Sequence, residues 1–241
     1  MQKYGLALEN RMTFYENMLN CIQHQMTITN YLVSKAVPSI LAFTSVQQHQ
    51  EGGVTFLYLE AEEIMPIRMK LMEGEVNGVT LLDILIRLCV VLRDINSEKV
   101  GVTHRGLALD EVYINKENKI LLSGFYYSSG PLLSDGTDLS KHPPYLPMMP
   151  PHLSDSLLKG ERGSYGQDIQ MLARYGWNIF SGEPYDAVQG DGRIAFPEYA
   201  TEEIVAALIL GLSGNDESCN IFRRKLLECR KQLNQTDYAH L

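Results

Sequence analysis

Apolar positions along the first sixty residues change their period once. From Leu6 to Gln25, the residues Leu8, Met12, Tyr15, Met18, Leu19 and Ile22 recur every three or four positions, with Glu9, Arg11 and Glu16 between them. That spacing predicts one amphipathic helix. Pro38 then opens an extended stretch, Ile40–Gln47, and Glu51-Gly52-Gly53 separates it from a second β-rich run, Val54–Glu60. A β-hairpin is expected there.

From Thr80 onward the polar face disappears. Leu81, Leu82, Ile84, Leu85, Leu88, Cys89, Val91, Leu92 and Ile95 surround nearly the whole circumference, the pattern of a helix buried inside a larger helical body. Two short strands follow, Glu111–Ile114 and Ile120–Leu122, joined by the turn Asn115-Lys116-Glu117-Asn118. The segment Ser128–His152 is rich in Pro, Ser and Gly with little periodicity, and stretches of this length usually serve as functional or mobile loops. Three more helices are expected at Asp168–Phe180, Glu202–Leu212 and Asn220–Leu233. Helix, hairpin, and a mostly helical remainder with one internal strand pair make an α+β fold.

Composition narrows the function classes. The 241 residues are 45% hydrophobic and 21% charged, ordinary for a globular chain, and the net charge of −8 offers no basic field for nucleic acid or anionic lipid. No apolar run approaches the ~20 residues of a membrane span. Met1-Gln2-Lys3-Tyr4-Gly5 has no apolar signal region, so a cytoplasmic protein without membrane association is expected. Cys21, Cys89, Cys219 and Cys229 form no C-x-x-C pair and have no His at zinc spacing; reduced, core-packed thiols and no metal are expected.

The stretch Gly101–Ile114 reads G-V-T-H-R-G-L-A-L-D-E-V-Y-I, and Leu122-Ser123-Gly124-Phe125-Tyr126 follows. This resembles the catalytic loop and the D-F-G turn of the eukaryotic-type (Ser/Thr) protein kinase fold, with His104-Arg105-Gly106-Leu107 at H-R-D-L. Further likenesses follow in order: Pro150-Pro151-His152 at A-P-E, Asp168-Ile169 at the start of the central large-lobe helix, and Gly182-Glu183-Pro184-Tyr185 at the turn after it. The resemblance covers Leu6 to about Leu233. It implies a kinase-like arrangement in which residues 1–60 form a truncated small lobe, one helix plus the hairpin, with Glu60–Ile64 as hinge. Residues 61–241 then form a complete, mostly helical large lobe.

The same resemblance implies that the chemistry is lost. Phosphoryl transfer needs a carboxylate beside the substrate hydroxyl, a lysine on the phosphate, and an asparagine and an aspartate on Mg²⁺. Those positions are Gly106, Ala108, Glu111 and Gly124, and Tyr126 replaces the D-F-G glycine. Few residues precede the first helix, so no Gly-rich loop or β3-type lysine is expected; Glu9 or Glu16 could take the helix ion-pair position, with only Lys3 before them. The framework positions His104, Arg105, Phe125 and Asp168 are kept. In the family the histidine packs under the D-F-G turn, the phenylalanine joins the core, and the aspartate accepts from the loop backbone.

A catalytically inactive pseudokinase that binds a protein partner in a regulatory or scaffolding role is therefore expected, without ATP or Mg²⁺. The alternatives are an enzyme of altered chemistry using Glu111 or Asp110 as base, or a fragment completed by a partner. Glu111 is expected to be solvated or ion-paired. Arg105 either pairs with Asp135 or Asp138 or bonds locally. Tyr126-Tyr127 fill the vacated pocket, and the methionines Met65, Met69, Met72, Met148 and Met149 either fill core or line a partner groove.

Overall fold

The computed structural model describes residues 8–51, 54–61, 63–72, 77–131, 159, 161, 163–181 and 200–239. Helix α1 spans Leu8–Ser34, nine residues past the expected end at Gln25. Thr27, Ile28, Thr29 and Asn30 are weak helix formers, but Ile28 and Leu32 are completely buried one turn apart, and burial outweighs propensity. The helix stops in a Schellman motif. Ala36 takes the left-handed conformation (φ 55°), Val37 N–H donates to the Leu32 carbonyl at 3.1 Å, and Ala36 N–H to Val33 at 2.9 Å.

Strands β1 (Ser45–Glu51) and β2 (Val54–Glu60) form the expected antiparallel hairpin, in register from Ser45 opposite Glu60 to Glu51 opposite Val54. The first strand starts later than its apolar pattern suggests. Ile40 bridges Leu122 in parallel instead, with Leu41 N–H donating to the Leu122 carbonyl and Leu122 N–H to that of Ser39, both at 2.9 Å. Residues 39–41 thus border a second sheet, ordered β3 (Ile64–Pro66), β4 (Val112–Asn115), β5 (Ile120–Leu122) and antiparallel throughout. Glu111, expected to open β4, belongs to a 3₁₀ turn, Leu109–Glu111.

The helices follow their caps. After the short α2 (Ile67–Met72), α3 (Gly78–Ile95) begins where the Asn77 side chain accepts from Thr80 N–H. Helix α4 covers Tyr165–Ser181 and starts three residues before Asp168. Ser164 and Gln167 form a reciprocal capping box there, with Gln167 N–H on the Ser164 hydroxyl (3.2 Å) and Ser164 N–H on the Gln167 amide oxygen (3.0 Å). Helix α5 (Glu202–Leu212) has the expected bounds, and α6 extends over Asp216–Ala239.

Helix α3 packs on α4 and α6, and α5 packs on α4 and α6. Ile28 and Leu32 of α1 share one core with Leu85, Tyr175, Trp177, Leu208 and Phe222. A Cβ on Gly176 would lie 2.7 Å from a Leu208 methyl and 2.9 Å from one of Leu85, so glycine lets α3, α4 and α5 meet. Arg230 of α6 grips both carboxylate oxygens of Asp83 on α3.

The architecture is a mixed α+β fold with a small three-stranded antiparallel sheet. Among the described residues no helix is long and apolar enough to cross a membrane. Cys89 and Cys229 are buried and Cys21 half-buried. Met65 and Met69 are 42% and 51% exposed; they extend from an edge strand and a short surface helix and fill no core. The motifs expected at residues 150–152 and 182–185, most of the 128–152 segment including Asp135 and Asp138, and the side chains of Glu9, Glu16, Met72, Met148, Met149 and Cys219 lie outside the described residues.

Candidate functional site

The loop between α3 and β4 is held from beneath by one carboxylate. Asp168, in the first turn of α4 and 1% exposed, accepts from His104 N–H at 2.9 Å and Arg105 N–H at 2.8 Å. Burial pushes its carboxyl up to about 6, against those two donors and the Arg105 guanidinium, which favour the charged form. Arg105 itself sits at φ 63°. A non-glycine residue in the left-handed region needs over-determination by its surroundings, and the two Asp168 bonds fix the backbone that leads into that dihedral.

His104 is fully buried and has both ring nitrogens assigned. Nε2 lies 2.6 Å from the Ser123 carbonyl, so it carries the proton, and Nδ1 accepts from Gly106 N–H at 3.2 Å. Its ring meets Phe125 at 4.6 Å between centroids. Burial drives the imidazole down to about 4, and a second proton on Nδ1 would confront the Gly106 donor. His104 is a neutral strut with no lone pair to offer as a base.

Ser123 is the hub of the site. Besides the His104 bond, its N–H donates to the Glu111 carbonyl at 2.8 Å and its hydroxyl accepts from Gln25 of α1 at 3.3 Å. His24, one residue earlier, donates through Nε2 to the Ser128 carbonyl at 3.0 Å. Helix α1 is thereby fastened at two points around the second 3₁₀ turn, Phe125–Tyr127. Neither Ser123 nor the His24-Gln25 pair stood out in the sequence.

Gly124 is constrained both by its dihedral and by what surrounds it. Its φ is 81°, and a Cβ there would stand 2.5, 2.7 and 2.9 Å from Cγ, Cδ and Cβ of Glu111. Glu111 therefore occupies the space that any side chain at position 124 would need. Expected to be solvated or ion-paired, it is half-buried and has no ion pair among the described residues. Burial, opposed by the Ser123 hydroxyl and reinforced by Asp110, pushes its carboxyl up to about 7. The physical reason is the 3₁₀ turn, which directs Glu111 inward while the exposed Asp110 turns outward to Arg68 at 3.3 Å.

Tyr127 is buried, and Tyr126 is half-buried beside Glu111, Tyr113 and Cys21; its ring lies 6.2 Å from that of Tyr127. Burial raises both phenols far above their ordinary value. Arg105 is 9% exposed and its Nη2 has no hydrogen-bond partner among the described residues. Gly106 supplies only its backbone N–H, and Ala108 a methyl. No group of three or more metal-ligating side chains occurs among the described residues.

No protein-family model matches the chain, and no curated protein matches it significantly.

Proposed function

We propose that this chain is a non-catalytic protein of protein kinase-like fold that works as a regulatory or scaffolding protein-binding module. One observation carries the reading: the Asp168 carboxylate and the His104 ring that shape the site are hydrogen-bonded at every polar atom, while the positions where phosphoryl transfer needs side chains are empty or blocked. Asp168, His104 and Phe125 form a closed network. Gly106 and Ala108 bring no acid, base or cation, and Glu111 fills the volume beside Gly124. Each missing transition-state contact costs several kcal/mol, and here the losses coincide.

The partner is a protein, for which the 128–152 segment or the small-lobe face of residues 1–60 is the candidate contact. A thermal-shift titration with millimolar ATP, with and without Mg²⁺, tests this reading. Ligand binding to the native state raises the melting temperature. The expected result is no shift; a clear Mg²⁺-dependent rise would refute it.

Glu111 favours a second reading. A half-buried carboxyl near pH 7 suits a general base, which would make the chain an enzyme of altered chemistry. In that case a turnover abolished by Glu111→Gln accompanies nucleotide binding.

A further inference from the structure

At the far end of the β4–β5 hairpin from Glu111 and Ser123, α2, α3 and the Asn115–Asn118 turn enclose an open groove of about 240 Å³. Its floor is aliphatic: Ile67 from α2, Ile84 from α3, and Ile114 and Ile120 from β4 and β5. Helical spacing adds two cations above it. Lys70 stands one turn after Ile67, and Arg87 one turn after Ile84, so each lies on the same helix face as its isoleucine.

Charge in the groove is unbalanced. Lys70 Nζ reaches the Asn118 side-chain oxygen at 3.4 Å and Arg87 Nη1 the Asn118 carbonyl at 3.5 Å, both at the limit of a hydrogen bond. Neither cation has a carboxylate within ion-pair distance among the described residues. The acid in the lining, Asp83, is already held by Arg230, and Glu117 in the turn pairs with Lys119 at 2.6 Å. In a chain of net charge −8, this is a cationic rim over an apolar floor.

We propose that this groove is a docking site for an extended peptide segment of a partner protein, with aliphatic side chains seated on the four isoleucines and a carboxylate bridging Lys70 and Arg87. The volume lies below the roughly 300–1,000 Å³ of clefts that engulf a small molecule, and the groove is partly open to solvent. A peptide needs only a few side chains seated and its charge paired. Carboxylate matches the guanidinium and ammonium donors by charge and geometry, and the aliphatic floor offers contacts that a lone phosphate on the same two cations leaves unused. The site is separate from the network around Ser123, so it stands whether or not that network belongs to a kinase-like protein.

Methyl NMR of the whole chain labelled at isoleucine tests the proposal directly. The probe is a synthetic peptide alternating leucine and glutamate; the control alternates leucine and lysine. The glutamate peptide should shift the methyls of Ile67, Ile84, Ile114 and Ile120 and leave those of Ile95 and Ile169 in place. Lys70→Glu with Arg87→Glu should weaken binding by about tenfold or more, whereas Lys70→Arg should keep it. Four unmoved methyls at millimolar peptide, equal shifts from the lysine peptide or from inorganic phosphate, or an unchanged affinity in the double variant would each overturn it. The control peptide acts on the unaltered chain, so the test survives a variant that folds poorly.

Discussion

Gly124→Ala probes the contact with Glu111 in isolation. At φ 81° an alanine sits in the left-handed region at a cost of about 1–2 kcal/mol, partly offset by roughly 0.4–1 kcal/mol from a less flexible unfolded chain. The new methyl must also displace Glu111, whose Cγ, Cδ and Cβ lie 2.5, 2.7 and 2.9 Å from it. Overpacking of this kind costs about 1–3 kcal/mol. A net loss of about 2–4 kcal/mol follows, which lowers the melting temperature of a chain this size by roughly 5–15 °C. Urea denaturation of four proteins separates the two causes: the unaltered chain, Gly124→Ala, Glu111→Ala and the double variant. With Glu111 truncated, only its Cβ still crowds position 124, so the alanine should cost about 1 kcal/mol. The coupling energy should then reach about 1–3 kcal/mol. An equal cost in both backgrounds, or a cost below about 0.5 kcal/mol in the first, would refute the interlock.

Three further outcomes follow from the same geometry. Glu111 titrates at about 7 in the native state against an ordinary value of 4.5, so the native state holds its proton longer; stability is full below pH 4.5 and falls as pH rises through 7, by about 3 kcal/mol. Urea unfolding at pH 5 and pH 8 should therefore show Glu111→Gln gaining on the parent at the higher pH, because the opposite contribution of His104 is common to both. Asp168→Ala leaves two buried N–H groups without acceptors and should cost about 3–5 kcal/mol by denaturant unfolding, with faster amide exchange at His104 and Arg105; Asp168→Asn, which keeps one oxygen, should cost about half. Ala36→Gly relieves the left-handed alanine at the end of α1 and should raise stability by about 0.5–1 kcal/mol in the same assay.

Legibility in the sequence tracked how local the determining physics is. Helix α3 declares itself through an apolar circumference, and α5 through Thr201 followed by Glu202 and Glu203, a cap and two acids at the first turn. The start of α4 was also written locally, in the Ser164–Gln167 pair, a capping-box signal that the apolar pattern beginning at Asp168 obscured. The end of α1 was not. Thr27–Asn30 look like a stop, and only packing against a core assembled from much later residues keeps them helical. The site divides in the same way. His104, Phe125 and Asp168 stand at positions recognisable by order and spacing. The bonds of Gln25 to Ser123 and of His24 to Ser128, which join residues 98 and 104 apart, carry no short-range signature. The inward turn of Glu111 depends on a 3₁₀ geometry and a positive φ at Gly124, neither of which residue identity alone expresses.

The Glu111–Gly124 contact also limits how this chain can change. A side chain enters position 124 only after residue 111 has shrunk. Shrinking residue 111 first empties space beside Ser123, the point on which α1, β5 and the His104 loop converge. Filling position 124 first crosses an intermediate less stable than its starting point, and selection against unstable proteins removes such intermediates; shrinking residue 111 first also sheds a buried carboxylate that is costly to ionise. Two positions thirteen apart along the chain are therefore coupled in their history, and a lineage that acquires the pair leaves it through residue 111 first.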